Sequence, residues 1–299
     1  KNLPNNNGGN ALQSDFTVTL DGGPAVWGAN VVNPGTYTLN ETNLPGYTPS
    51  GWTCGTNENA VTEVTVVAGQ VVTCQITNDD VAPKLTVIKN VVNDNGGTAE
   101  ADDFSLTING ANPNPAGQFP GSAVGTVITL DANSPYGVAE SVASGYGIPD
   151  FSAGCTSTGL DEGAEVICTV TNDDDAPSLT LIKVVEGGND APTAWTLTAT
   201  GILAEPTNLS GNTPVSSDDN FKADTYTLGE TGPDGYTEST WSCTNDVTVT
   251  NGEITLVNGK STTCTITNTR DRGTIELKKD FVGTPEDVTL NIGTPVDDD

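Results

Sequence analysis

The chain has 299 residues and a formal net charge of −29, from 39 acidic and 10 basic residues. A surface this acidic repels nucleic acid and anionic membranes, so neither is an expected partner, and no apolar run reaches the roughly 18 residues of a membrane span. Histidine and methionine are absent, so the commonest general base and metal ligand is missing and an enzyme that turns over substrate is disfavoured.

A segment of about 90 residues recurs along the chain and is the strongest signal in the sequence. Each of four copies opens with a lysine, and the first three close with a Cys-x-(Ile/Val)-Thr-Asn motif. The lysines are Lys1, Lys89, Lys183 and Lys279, and the closing motifs span 74–78, 168–172 and 264–268. This length is too great for a solenoid unit and matches a self-contained β-sandwich.

The repeats divide the chain into four predicted segments. The first repeat (1–80) lacks the start of its first strand, the second covers 84–174 and the third 178–269, and 273–299 is either the start of a fourth repeat or a donated strand. A missing first strand would leave an open sheet edge. We expect either a longer array or a tail that completes the first repeat of a neighbouring chain, and both give a head-to-tail linear polymer of this chain with itself.

Short runs of alternating polarity fill each repeat, as in 16–20 and 61–66, and Gly, Pro, Asn and Asp separate them. Such runs predict β-strands, and no long stretch has helical periodicity. The predicted fold class is all-β, a series of tandem immunoglobulin-like β-sandwich domains. Aromatic residues make up only 5% of the chain, so each core is modest and would benefit from covalent cross-links.

Three polar residues of each repeat fall on the interior face of an apolar strand, because residues i, i+2 and i+4 share a face. In the second repeat the shared faces are Leu85, Val87 and Lys89; Tyr136, Val138 and Glu140; and Cys168, Val170 and Asn172. The chain has eight lysines, and four of them lie at this one position. A buried lysine is normally avoided because desolvating its charge costs several kcal/mol.

Two interpretations fit this pattern. In the first, the lysine extends toward solvent and forms an ion pair with the glutamate. In the second, the lysine amine attacks the asparagine side-chain amide, releases ammonia and forms an isopeptide bond with help from the glutamate. Burial favours the neutral amine and the protonated carboxyl that this reaction needs. The reaction happens once per domain, so it is maturation and not turnover.

Two cysteines occur in each repeat, and their even number in an acidic chain without CxxC pairs predicts disulfides in an oxidising compartment. The predicted pairs are Cys54–Cys74, Cys155–Cys168 and Cys243–Cys264.

Acidic residues at the linkers form a weaker candidate site. If the first and last strands run parallel, the first loop and the linker meet at one domain end, where carboxylate oxygens would suit Ca²⁺. The candidate ligands are Asp79, Asp80, Asp94, Asp173, Asp174 and Asp175. The alternative is a solvated acidic turn, and no other cofactor is expected.

Three separated motifs resemble the prealbumin-like (CnaB/SpaA-type) domains of bacterial surface proteins and pilins: Leu-Thr-Val-Ile-Lys at 85–89, the segment 35–47, and Ile-Thr-Asn at 76–78. The resemblance covers nearly the whole chain. It implies a transthyretin-like or reverse-immunoglobulin sandwich with a Lys–Asn isopeptide and an assisting glutamate. The implied sets are Lys1, Glu41 and Asn78; Lys89, Glu140 and Asn172; and Lys183, Glu230 and Asn268.

The sequence therefore predicts an extracellular or cell-surface stalk or filament subunit made of covalently cross-linked sandwiches. The alternative is an adhesin whose repeats bind a glycan or a protein. Its mark would be an exposed aromatic patch on one repeat, and the segment 202–219 is the best place to look for one.

Overall fold

The computed structural model describes residues 1–141, 143–203, 205–280, 282–284, 287–290 and 292–293. Its contacts divide the chain into two compact units. One comprises Lys1–Asn93 with Thr98–Asp173, and the other comprises Asp94–Gly97 with the described residues from Asp174 onward. The predicted all-β fold is confirmed: four single-turn 3₁₀ helices are the only helices among the described residues, at Gln13–Asp15, Ala101–Asp103, Ala153–Cys155 and Pro192–Ala194.

The second repeat is a sandwich of two four-stranded sheets. Strands β1 to β8 belong to the first repeat and are described below. The strands of the second repeat are β9 Lys84–Val92, β10 Ser105–Gly110, β11 Gln118–Pro120, β12 Thr126–Thr129, β13 Tyr136–Glu140, β14 Asp150–Phe151, β15 Thr156–Ser157 and β16 Glu165–Asp173. One sheet has the order β11-β10-β13-β15 and the other β12-β9-β16-β14. The first and last strands, β9 and β16, run parallel from the pair Lys84–Glu165 to Val92–Asp173.

The third repeat has the same plan. Its strands are β17 Ser178–Glu186, β18 Thr196–Gly201, β19 Leu209–Asn212, β20 Val215–Ser216, β21 Thr225–Thr231, β22 Tyr236–Glu238, β23 Ser242–Cys243, β24 Glu253–Thr255 and β25 Ser261–Arg270. The sheets have the orders β19-β18-β21-β24 and β20-β17-β25-β22, and β23 also pairs with β25. Strands β17 and β25 are again parallel neighbours.

The first repeat is built from shorter strands. They are β1 Val18–Leu20, β2 Gly23–Ala25, β3 Gly35–Glu41, β4 Tyr47–Pro49, β5 Thr53–Cys54, β6 Glu63–Val66, β7 Cys74–Gln75 and β8 Asn78–Asp80. Sheet β2-β1-β3-β6 faces the two-stranded pairs β4-β8 and β5-β7. A parallel bridge between Asn2 and Thr77 reproduces the pairing of first and last strands seen in the other repeats.

Each repeat encloses its own core, to which alternate residues of the paired strands contribute. In β9, Leu85 and Val87 are fully buried and Lys89 is 1% exposed, so the lysine occupies a core position. The first repeat has the smallest buried set, centred on Val18, Leu39, Trp52 and Ile76. The described residues of the tail, from 273 to 293, belong to no strand or helix, and the rest of the predicted fourth segment lies outside the described residues.

Candidate cross-linking sites

Strand register brings the predicted lysine and asparagine of each repeat together. Lys89 lies opposite Val170 in the parallel pair β9–β16, and Asn172 follows two residues later on the same face. Lys183 lies opposite Ile266 in the same way, two residues before Asn268. The glutamate comes from the facing sheet, near the end of β13 in the second repeat and of β21 in the third. Glu140 pairs with Leu106, and Glu230 pairs with Leu197.

In the first repeat, the glutamate bridges the other two side chains. Lys1 Nζ lies 2.7 Å from Glu41 Oε2, and the two side chains are 1% and 3% exposed. Asn78 Nδ2 donates to Glu41 Oε1 at 2.7 Å and to Asn43 Oδ1 at 3.1 Å. Asn78 is fully buried, yet its Oδ1 has no hydrogen-bond partner in the described part of the chain.

The third repeat repeats this bridging arrangement. Lys183 Nζ donates to Glu230 Oε2 at 2.5 Å, and Asn268 Nδ2 donates to Glu230 Oε1 at 2.7 Å. Asn268 Oδ1 is again buried without a hydrogen-bond partner among the described residues.

In the second repeat, the lysine contacts the asparagine directly. Lys89 Nζ donates to Asn172 Oδ1 in a short hydrogen bond, and Asn172 Nδ2 donates to the Gly147 carbonyl at 3.2 Å. Glu140 Oε2 lies 3.3 Å from Lys89 Nζ, close enough for an ion pair but without the alignment of a hydrogen bond. Both side chains of this ion pair are completely buried.

An aromatic ring covers each lysine, a feature that the sequence reasoning missed. Lys1 Nζ lies 3.6 Å from the centroid of Phe16, Lys89 Nζ 4.0 Å from Phe104, and Lys183 Nζ 4.9 Å from Trp195. Each ring directly follows a 3₁₀ turn and is 1% exposed. The recurrence of Asp15-Phe16 as Asp103-Phe104 is the signal that could have revealed it. Such a ring replaces water over the amine and attracts its cationic form.

Burial changes the acid–base properties of the lysines. Desolvation lowers the pKa of Lys1, although the hydrogen bond and charge of Glu41 oppose it. Desolvation likewise lowers the pKa of Lys89 against the opposing effect of Glu140. Both amines are therefore easier to deprotonate than a solvated lysine, and the neutral amine is the nucleophilic form.

All three predicted disulfides are present: Cys54–Cys74, Cys155–Cys168 and Cys243–Cys264. Trp52 belongs to the core cluster that includes Cys54 and Cys74, and Trp241 packs against the cluster that includes Cys264. In the second and third repeats one cysteine lies on the same strand as the asparagine: Cys168 with Asn172 on β16, and Cys264 with Asn268 on β25.

The acidic linker residues separate into two groups. Asp80 and Asp174 are each 3% exposed. Each accepts hydrogen bonds from backbone N–H groups in the first loop of its own repeat. The other candidate Ca²⁺ ligands, Asp79, Asp94, Asp173 and Asp175, are exposed. The Ca²⁺ site stays a prediction. Lys279, predicted as a further isopeptide lysine at the start of the fourth segment, is exposed in the tail.

The segment 202–219, expected to carry an aromatic patch in an adhesin, contains no aromatic residue. Its large exposed side chains are the aliphatic Ile202 and Leu203, which are 66% and 43% exposed. No helix among the described residues is long and apolar enough to cross a membrane.

The chain belongs to the prealbumin-like fold domain family, whose model matches residues 1–76, 80–170 and 174–266. No curated protein matches the sequence. Among solved structures, the Bacillus anthracis TIE protein is similar at 17% identity and a TM-score of 0.51, over 85% of this chain and 47% of that one. The chain thus spans less than half the length of that protein, and the likeness concerns the fold.

Two further structures resemble the chain more loosely. The major pilin T-13 of Streptococcus pyogenes has 11% identity and a TM-score of 0.34, over 64% of this chain and 98% of that one. A C-terminal fragment of the pilus adhesin SpaC of Lactobacillus rhamnosus GG has 15% identity and a TM-score of 0.33, over 64% of this chain and 99% of that one.

Proposed function

We propose that this chain is a structural part of an extracellular stalk or filament, and that an isopeptide bond cross-links each of its three repeats. The observation that carries the proposal is the buried Lys–Glu–Asn triad, which recurs at the same strand positions in all three. Membership of the prealbumin-like family supports a role at the cell surface. The head-to-tail repetition supports a linear arrangement.

The triad contains every group that the reaction requires. The neutral lysine Nζ attacks Cγ of the asparagine amide, so an Nζ–Cγ bond forms and the Cγ–Nδ2 bond breaks. The glutamate carboxyl accepts a proton from the attacking nitrogen and delivers one to the departing nitrogen, which leaves as ammonia. The carboxyl ends the reaction in its starting state, so one event per repeat needs no cofactor.

The polar groups buried in the unreacted triads support the reaction over a permanent ion pair. Asn78 Oδ1, Asn268 Oδ1 and both carboxylate oxygens of Glu140 are buried without hydrogen-bond partners. An unsatisfied buried polar atom costs about 1–3 kcal/mol, and a buried charge costs more. Conversion of the amine and the amide into one secondary amide removes the lysine charge from the core.

The position of the bond suits a protein that bears tension. Lys89 is in the first strand and Asn172 in the last, and these strands are parallel neighbours. Tension on the two ends of the repeat would pull β9 and β16 in opposite directions and shear their hydrogen bonds. A covalent bond between the two strands transmits this force directly and leaves the 82 residues between them unloaded.

Single-molecule stretching of the chain tests the proposed function. We expect repeats with an intact bond to show no unfolding step, because the force bypasses the fold. The Glu140→Ala variant should add one step, from the release of the second repeat. Unfolding steps from all three repeats of the unmodified chain would contradict a stalk role based on isopeptide bonds.

A further inference from the structure

We propose that residues 5–9 form a docking loop that holds the second repeat against the first, and that Asp80 fixes this loop in its docking conformation. The partner surface is the end of the second repeat around Ala132, Asn133 and Gly163. Both repeats lie in the same compact unit. The proposal does not depend on isopeptide formation.

The carboxylate of Asp80 organises the loop from within. It accepts backbone hydrogen bonds from Asn6 at 3.0 Å, Asn7 at 2.9 Å and Gly9 at 2.6 Å. Asp80 is 3% exposed, so these bonds are shielded from water. A carboxylate that accepts several N–H groups forms strong, charge-assisted bonds and fixes the backbone around it.

The outer side of the loop binds the second repeat through its backbone. The Asn7 carbonyl accepts a hydrogen bond from the Ala132 amide at 2.6 Å, and the Gly8 carbonyl accepts one from Asn133 Nδ2 at 3.1 Å. Gly8 has φ = +83°, and a Cβ there would lie 2.3 Å from the Ala132 carbonyl oxygen. Only glycine fits both this backbone conformation and this close approach.

The linker makes a second contact beside the loop. The Val81 amide donates to the Gly46 carbonyl of the first repeat at 2.8 Å, and the Val81 carbonyl accepts from the Gly163 amide of the second at 2.7 Å. A Cβ on Gly46, where φ = +77°, would lie 2.5 Å from Glu162 Cβ. The linker is therefore bonded to both repeats and is not a free tether.

The contacts of the loop recur in the other compact unit. Asp174 accepts hydrogen bonds from the amides of Asn95 at 2.9 Å and Gly97 at 2.5 Å, and the Asn95 carbonyl accepts one from Ala223 at 2.7 Å. A Cβ on Gly96 would lie 2.5 Å from the Ala223 carbonyl oxygen. The recurrence indicates that Asn-Gly-Gly together with a later Asp is a docking motif.

The third repeat departs from the motif, because Arg270 occupies the position of Asp80 and Asp174. Its guanidinium lies 5.0 Å from the ring of Tyr236. An arginine donates hydrogen bonds and cannot accept them from backbone amides. The carboxylate-held loop is thus a property of the first two repeats.

Hydrogen exchange of the full chain tests the docking loop, with Gly8→Ala and Asp80→Asn as the variants. Gly22→Ala is the matched control, since Gly22 also has a positive φ of +74° in the first repeat but has nothing within 4 Å of its Cβ position. We expect protection of the Ala132, Val81 and Gly163 amides to fall about tenfold or more in both variants. The Lys89 amide, bonded to Ser122 within the second repeat, should keep its protection.

The control should leave the amides of Ala132 and Val81 as protected as in the unmodified chain. Two results would overturn the proposal: exchange of these amides at the rate of open backbone in the unmodified chain, or an equal effect of Gly8→Ala and Gly22→Ala. Loss of Lys89 protection in Gly8→Ala would show unfolding of the repeat. In that case the Asp80→Asn result decides, and unchanged Ala132 exchange there would also overturn the proposal.

Discussion

The triad of the second repeat and the triads of the first and third hold the same residues in two hydrogen-bonding arrangements. In the first and third, the glutamate receives both the lysine Nζ and the asparagine Nδ2. In the second, Lys89 donates to Asn172 Oδ1, and the Gly147 carbonyl receives Nδ2. The difference lies in which end of the amide faces the lysine and glutamate.

The proposed reaction requires a carboxyl that reaches both nitrogens and an amine that reaches the amide, and each arrangement meets one of these two requirements. The bridging triads show that one carboxyl reaches both the attacking and the departing nitrogen, as proton transfer between them requires. The triad of the second repeat shows that the amine reaches the amide itself. The sheet register that places Lys89 and Lys183 two residues before their asparagines is the same, so the two arrangements differ by side-chain rotation and not by fold.

The largest effect is expected from Glu140→Ala, which removes the proton carrier but leaves Lys89 and Asn172 in place. The second repeat should fold without its cross-link. Because that bond closes a loop of more than 80 residues, its absence should lower the free energy of unfolding of this repeat by about 4 kcal/mol in the chain-entropy model. Denaturant-dependent exchange of the β9 and β16 amides measures the loss.

Glu165→Ala is the control for this variant, because Glu165 pairs with Lys84 on the exposed side of the same two strands. An exposed ion pair contributes about 0.2–1 kcal/mol. If both substitutions lowered the free energy of unfolding of the second repeat equally, Glu140 would contribute only an ion pair and no cross-link would depend on it. The corresponding Glu41→Ala should affect the first repeat alone, which tests whether the bridging arrangement depends on the same carboxyl.

A smaller effect concerns pH. In Glu140→Ala, Lys89 remains a buried amine, and desolvation lowers its pKa below the ordinary lysine value of 10.5. The unfolded chain then binds more protons than the folded chain, so the second repeat should gain stability as pH rises from the folded pKa toward 10.5. The slope is at most about 1.4 kcal/mol per pH unit.

The unmodified chain should lack this slope in its second repeat, because a lysine converted to an amide does not titrate. Lys89→Met in the Glu140→Ala background should lack it as well. Unfolding of the second repeat measured at several pH values gives the comparison. A lysine-like slope in the unmodified chain would show that Lys89 is still a free amine.

Much of this architecture could be predicted from the sequence because it depends on strand periodicity. The alternation Leu85, Val87, Lys89 puts the lysine on the interior face of its strand, and the closing motifs place the asparagines in the same way. The Cys pairs followed from their recurrence. Each of these features is a short local pattern, and its recurrence about every 90 residues shows which patterns belong to the same repeat.

Features that depend on three-dimensional approach could not be predicted. The Gly147 carbonyl accepts a hydrogen bond from Asn172 Nδ2, and a backbone group leaves no residue-type signal in the sequence. Asp80 is a predicted Ca²⁺ ligand because of its charge, and that stays a prediction, but its hydrogen bonds to backbone amides leave no signal in the sequence. In the fold its buried carboxylate accepts hydrogen bonds from the backbone amides of the docking loop, residues 5–9.

Intact mass of the unmodified chain tests the central claim most directly, with fragmentation to locate the bonds. We predict a loss of about 17 Da, one ammonia, for each of the three triads, in addition to the six hydrogens lost in the three disulfides. Branched peptides should join Lys1 to Asn78, Lys89 to Asn172 and Lys183 to Asn268. A mass that shows only the disulfide loss would contradict the account and leave three buried Lys–Glu ion pairs.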